Sequence, residues 1–164
     1  MELDYFPKTV ILRHRKENLK KCSLSGLELR KDMQFFTYPK SFTLKLDDYV
    51  LLAIDAEPLS QKDQNKGIFL IDGTWKLAEK MSQNLPQYEG LQKRSLPSHI
   101  KTAYPRVQTA CEDPMRGLAS IEALFAAYLI LKRDPKGLLD LYHFKNDFLN
   151  INEKFLRECD PNFK

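Results

Sequence analysis

The apolar positions of this chain come first in short dense runs, and only later in helical stripes. Thr9-Val10-Ile11-Leu12, Met33-Gln34-Phe35-Phe36-Thr37-Tyr38, Tyr49-Val50-Leu51-Leu52-Ala53-Ile54 and Gly67-Ile68-Phe69-Leu70-Ile71 each read as a strand. Three of these runs are almost uninterrupted rather than alternating. That suits strands covered on both faces, as in a parallel α/β sheet. A further short strand is expected near Ser95-Leu96. Residues 56–66 are polar and loop-like, with a short helical turn expected after Ser60.

Helical spacing starts at Trp75. Leu77, Ala78, Met81 and Leu85 recur on one face until Pro86 stops the pattern. The clearest helix spans Leu118 to Lys132. Apolar residues almost surround it, so it is expected to be largely buried. Asp134-Pro135 reads as the opening of another helix, and Leu138 to Phe155 carries a broken helical pattern. Between them, Leu91 to Arg106 is irregular, interrupted by Pro97 and Pro105. A long polar, cationic and aromatic loop inside a compact domain is a place to expect function.

Composition narrows the class. A chain of 164 residues with 43% hydrophobic content reads as one globular domain, residues 1–164. No apolar run approaches the ~20 residues needed to span a bilayer. Met1-Glu2-Leu3-Asp4 does not read as a signal peptide. Cys22, Cys111 and Cys159 are few and far apart, which argues against a disulfide framework or a cysteine-rich zinc site. A reducing cytoplasm is the expected compartment, and no metal is expected. The net charge of +4 is compatible with an RNA partner.

Three stretches carry candidate chemistry. In the first, the strand ending at Ile71 stops at Asp72-Gly73-Thr74-Trp75, which contains the only tryptophan. Strand, polar turn and helix is the layout that places ligands at the carboxyl end of a parallel sheet. From the residues alone, Asp72 can cap the next helix, accept a proton or bind a cation. Trp75 can pack in the core or stack a base. The second is Gly117-Leu118-Ala119-Ser120-Ile121-Glu122-Ala123, where free N–H groups of a helix start suit a carboxylate or phosphate. The third is the loop from Leu96 to Arg106, where Lys101, Tyr104 and Arg106 interleave cations with an aromatic ring. Arg13-His14-Arg15-Lys16 bunches cations at the end of the first strand, either as a solvated turn or as phosphate contacts. There is no Walker-type loop, no G-x-G-x-x-G and no persuasive nucleophile triad.

Taken in order, these stretches resemble the DTW-domain family, which includes tRNA-uridine aminocarboxypropyltransferases and is related to ribosomal RNA aminocarboxypropyltransferases. The likeness rests on Ile71-Asp72-Gly73-Thr74-Trp75-Lys76-Leu77-Ala78, Leu96-Pro97, Tyr104-Pro105-Arg106 and Gly117 to Ala123. His14 with Glu17, and Ser25-Gly26, add to it. The tail from Tyr142 to Asn152 looks closer to the ribosomal RNA branch. Two features depart from the family pattern. The cysteine cluster near the start of many DTW proteins is missing, and Ala119-Ser120-Ile121-Glu122 replaces the commoner Ser-Thr-Leu-Glu.

The resemblance implies a SPOUT-like α/β fold, a mostly parallel sheet flanked by helices with a C-terminal trefoil knot. It implies S-adenosylmethionine as co-substrate and RNA as partner, tRNA first and rRNA as the alternative. By the same resemblance, Ser25, Gly73, Thr74, Trp75, Leu96, Tyr104, Leu118 and Ser120 would hold the donor. Asp72 would be the catalytic carboxylate, removing the nitrogen proton or holding the reactive base without taking it, and Arg13, Arg15, Lys16, Lys101 and Arg106 would meet RNA. The implied reaction moves the 3-amino-3-carboxypropyl group to a uridine or pseudouridine nitrogen and releases methylthioadenosine. A SPOUT-type methyltransferase and a non-catalytic RNA-binding assembly factor are the competing expectations.

Overall fold

The computed structural model describes residues 6–15, 23–38, 46–72, 81, 91–105 and 117–164. Five strands form one sheet: β1 (Thr9–His14), β2 (Met33–Tyr38), β3 (Tyr49–Pro58), β4 (Gly67–Asp72) and β5 (Gln92–Ser95). Their order is β2-β1-β4-β3-β5, and every pairing is parallel. Among the described residues after β5, three helices are delimited: α1 (Ser120–Ile130), α2 (Lys145–Ile151) and α3 (Glu153–Cys159).

The apolar runs do what their density predicts. Ile11, Val50, Ile68 and Leu70 point into one core with α1, while Val10, Leu12, Leu51 and Phe69 point into a second with Met81. Neighbouring residues of each strand therefore serve opposite faces, and neither face is left polar. Gly67 opens β4 because the ring of Tyr49 lies where its Cβ would stand. The Tyr49 hydroxyl then donates to the carbonyl of Lys8 (2.9 Å), tying β3 to the entry of β1.

Helix α1 is buried continuously from Ile121 to Leu129. It shares the first core with Phe148, Phe155 and Leu156 of the C-terminal helices, so it is apolar all round because it has neighbours all round. The edge of the Phe125 ring meets Phe148 (6.1 Å between centroids) and Phe163 (6.3 Å).

Several boundaries differ from expectation. β1 and β4 each run further, reaching His14 and Asp72, because their pairing continues to Arg13 opposite Asp72. β3 extends to Pro58 after an irregularity between Leu52 and Glu57, with Asp55 at φ 57°. The turn expected after Ser60 is a 3-10 helix, Gln61–Asp63, capped reciprocally by Ser60 and Asp63. Asp134-Pro135 does not open a helix. The Asp134 carboxylate accepts the N–H of Lys136 (3.0 Å) and makes a turn, and regular helix resumes only at Lys145. The helix expected from Trp75 falls, apart from Met81, outside the described residues. So do residues 73–80, 82–90 and 106–116, among them Gly73 to Trp75 of the loops to which the resemblance assigns the knot, the others lying around Leu96–Tyr104 and Leu118–Ser120.

Candidate active site

Strand order fixes where a ligand belongs. From β1 the chain passes to β2 on one side, whereas from β4 it passes to β5 on the other. The carboxyl ends of β1 and β4 therefore flank the topological switch point, where open parallel sheets bind ligands. Arg13 and Asp72 are the register partners at that point.

Asp72 is 3% exposed and Arg13 8%. Arg13 Nε donates to Asp72 Oδ2 (3.2 Å), and the Ser120 hydroxyl donates to Asp72 Oδ1 (2.7 Å). Arg13 Nη1 also pairs with Glu28 Oε1 (3.1 Å), and Glu28 Oε2 accepts the N–H of Gly26 (2.8 Å). Burial works to raise the Glu28 pKa, but its hydrogen bonds, including those from Arg13 and Gly26, outweigh that and hold it below the ordinary range. The Arg13 guanidinium lies 4.8 Å from the centroid of the Phe35 ring. One polar chain thus joins β4, β1, the 25–28 loop and the start of α1. Gly26 sits at φ 92°, and Leu141 packs where a side chain would stand.

The helix start is partly satisfied from within. The Ser23 hydroxyl accepts the N–H of Ile121 (3.2 Å), and Glu122 Oε1 accepts the N–H of Ala119 (2.8 Å). The N–H of Ser120, one position inside the helix, has no acceptor among the described residues. An N–H in that position, at the positive end of the helix dipole, suits a carboxylate or phosphate.

Glu122 is fully buried and organises the neighbouring loop. It accepts the Thr102 hydroxyl (2.6 Å), the Ala103 N–H (2.8 Å) and the Tyr142 hydroxyl (3.1 Å). Tyr104, half-buried, presents its ring to the edge of Phe144 (5.7 Å) and donates its N–H to Thr102 Oγ1 (3.0 Å). Leu96, Tyr104 and Leu118 pack on the same core as α1.

Of the expected site residues, Asp72 and Ser120 are in direct contact. Ser25 is exposed beside Gly26, and Arg15 and Lys101 are exposed. Arg13 is placed differently from a surface phosphate contact. It lies inside β1, with its charge directed at Asp72 and Glu28. Lys16, Gly73, Thr74, Trp75 and Arg106 lie outside the described residues. Ser23, Glu28, Thr102 and Tyr142 were not singled out, because each bonds to a partner distant in sequence or in a separate loop. The only local signal was a capping acid at Glu122, three residues after Ala119. No group of three or more metal-ligating side chains occurs among the described residues.

A parallel α/β sheet with a carboxylate, a hydroxyl and a helix start at its switch point is an α/β protein of the open-sheet class, the class that places ligands at that point. The DTW-domain model matches residues 4–150, and the chain belongs to the DTW-domain family. Its structure is similar to that of the SAM-dependent rRNA:acp-transferase Tsr3 from Vulcanisaeta distributa. That likeness has a TM-score of 0.70 at 24% identity and covers 96% of this chain and 85% of that one. No curated protein matches the chain.

Proposed function

We propose that this chain is an S-adenosylmethionine-dependent RNA aminocarboxypropyltransferase, acting on a uridine or pseudouridine nitrogen. The observation that carries the reading is the Arg13–Asp72–Ser120 constellation at the switch point of a DTW-family sheet. The fold likeness to an rRNA acp-transferase supports it.

The residues present fit such a donor. The Ser120 N–H suits the methionine carboxylate, with Ser25 nearby in the Gly26 loop. Half-buried Leu96, Tyr104 and Leu118 offer an apolar wall for adenine. Gly73, Thr74 and Trp75 join this set through their adjacency to Asp72 in sequence. The donor supplies a γ-carbon activated by its sulfonium, with methylthioadenosine as neutral leaving group.

The chain's own contribution is orientation. In the transfer, the RNA nitrogen forms a bond to carbon, the carbon–sulfur bond breaks, and the nitrogen loses its proton. Arg13 and Ser120 each take one oxygen of Asp72 and so fix the plane of its carboxylate. Held in that plane at the switch point, Asp72 is the group assigned to meet the N–H of the attacking base. A positioned base contributes ~10²–10⁴-fold, and correct alignment at ~3–3.5 Å contributes further. Arg15 and Lys101, with Lys16 and Arg106, are assigned to the phosphates, and Arg13 to holding Asp72.

rRNA is the acceptor this reading favours over the tRNA expected from sequence. Two features support that preference: the likeness to an rRNA enzyme over 96% of the chain, and the tail from Tyr142 to Asn152. The reading includes a single domain over 1–164, a SPOUT-like sheet with its knot, and a cytoplasmic setting.

The test is mass spectrometry of the products after incubation with S-adenosylmethionine and unmodified tRNA or rRNA. Methylthioadenosine together with RNA heavier by one aminocarboxypropyl group is expected. Adenosylhomocysteine with methylated RNA would replace the chemistry, and absence of donor binding would leave an RNA-binding protein.

A further inference from the structure

The loop proposed to wall the adenine pocket is not held by the sheet alone. Asn152, 2% exposed, sits at the junction of α2 and α3. Its side-chain amide pairs with the backbone of Lys101 as another peptide would. Oδ1 accepts the Lys101 N–H (2.8 Å), and Nδ2 donates to the Lys101 carbonyl (2.8 Å). Nδ2 also donates to the Phe148 carbonyl (2.9 Å), which anchors the amide to the end of α2. Two residues along the loop, Thr102 and Ala103 are bonded to Glu122. Earlier in the loop, His99 meets Glu158 (3.2 Å) and the edge of the Phe155 ring (6.0 Å), both on α3. From His99 to Tyr104 the loop has no ladder hydrogen bonds of its own, because β5 ends at Ser95. It hangs on the C-terminal helices on one side and on the start of α1 on the other.

We propose that Asn152 is a positioning residue for the donor pocket. It sets the course of the 99–104 backbone so that Tyr104 is preorganised, relative to the fixed Ser120 end of α1, for the adenosine end of a donor whose methionine end meets that helix start. The inference rests on the donor reading above. It goes beyond the family match, which ends at residue 150, before Asn152 and α3.

The amide is chemically specific. A carboxylate at this position keeps the acceptor but loses both donated bonds, and alanine loses all three. A loop that must order itself on binding weakens affinity by the cost of that ordering. The bonds to Lys101 hold the loop in the unliganded protein, so their loss is expected to weaken donor affinity by roughly tenfold.

The experiment compares wild type, Asn152→Ala and Thr102→Val. S-adenosylmethionine affinity is measured by calorimetry, and hydrogen exchange is followed over the 99–104 peptide and over α1. Thr102→Val is nearly isosteric and leaves the C-terminal helices untouched, so it tests the loop if Asn152→Ala does not fold. The expected result is donor affinity about tenfold weaker in each variant. Exchange should be faster in 99–104 and unchanged in α1, with turnover at saturating donor within a few-fold of wild type. Donor affinity within twofold of wild type in a folded variant would overturn the proposal, whether or not loop exchange accelerates. Wild type that fails to bind donor would instead remove the donor reading itself.

Discussion

The two ends of the sheet carry polar networks built from the same parts. At the carboxyl end, Asp72, Arg13, Glu28 and the Ser120 hydroxyl link β4, β1 and the start of α1. At the amino end, Asp32 accepts Arg30 bidentately (2.9 and 2.8 Å) and the Tyr128 hydroxyl (3.0 Å). Tyr128 also bonds the Thr9 hydroxyl (2.9 Å), linking β1 to the last turns of α1. Arg30 reaches on to the carbonyl of Lys136 (2.8 Å). Each network has a carboxylate, an arginine and a hydroxyl, and each spans strand ends and α1. Residue type therefore does not distinguish a site from a staple. Position along the strands does. The carboxyl end lies at the switch point and faces helix N–H groups, whereas the amino end meets the carbonyl-rich end of α1.

The comparison breaks most sharply at Asp72. Asp72→Asn is expected to retain donor binding and lose ~10²–10⁴-fold in single-turnover transfer. Unchanged turnover would make the two networks equivalent staples. Arg13→Leu comes next. Removing one partner of a buried pair costs ~3–5 kcal/mol, to be read from urea unfolding. Its RNA affinity measured on folded protein should keep the wild-type salt slope. A shallower slope would return Arg13 to the phosphate contacts.

The amino end should affect stability alone. Tyr128→Phe is expected to cost ~1 kcal/mol and leave donor affinity unchanged. This network also gives a pH signature. Burial pushes the Tyr128 hydroxyl up to about 12 from its ordinary 10.0. Its contribution is complete below pH 10.0 and is lost as pH rises through about 12. Burial works to raise the Asp32 pKa, but Arg30's hydrogen bonds and charge outweigh it, so the folded value lies below 3.8. That contribution is complete above 3.8 and disappears as pH falls through the lowered value. Asp32→Asn should flatten this acid limb in unfolding curves, and a limb that persists would assign it elsewhere. The smallest effect is expected from Lys101→Ala: RNA affinity falls a few-fold, and the salt slope drops by ~0.7–0.9 for one lost phosphate contact. Loss of donor affinity there would place the Lys101 side chain in the pocket.

Sequence reading recovered the strands because a doubly covered parallel sheet demands dense apolar runs, and Met33–Tyr38 was delimited correctly for that reason. It recovered α1 and its burial from the apolar surround of Ile121 to Leu131. From the residues alone it placed Asp72 and Ser120 at two separate turns, and only the family resemblance assigned both to one site, since 48 residues separate the two. It read Arg13 as one of a bunch of surface cations. A cation can be buried when its neighbour across the strand register is a carboxylate, and that neighbour is 59 residues away.

What the sequence determined by itself is therefore local: where the chain is extended, where it is helical, which turns carry an acid, a glycine or a hydroxyl, and the family those turns resemble. What only the tertiary structure decided is pairwise: Arg13 against Asp72, Ser120 on the other carboxylate oxygen, Glu122 beneath the 102–103 backbone, and Asn152 on Lys101. The physical reason is that periodicity and turn chemistry act over a few residues. Desolvating a charge is tolerated only where strand order and register bring its partner within hydrogen-bonding reach.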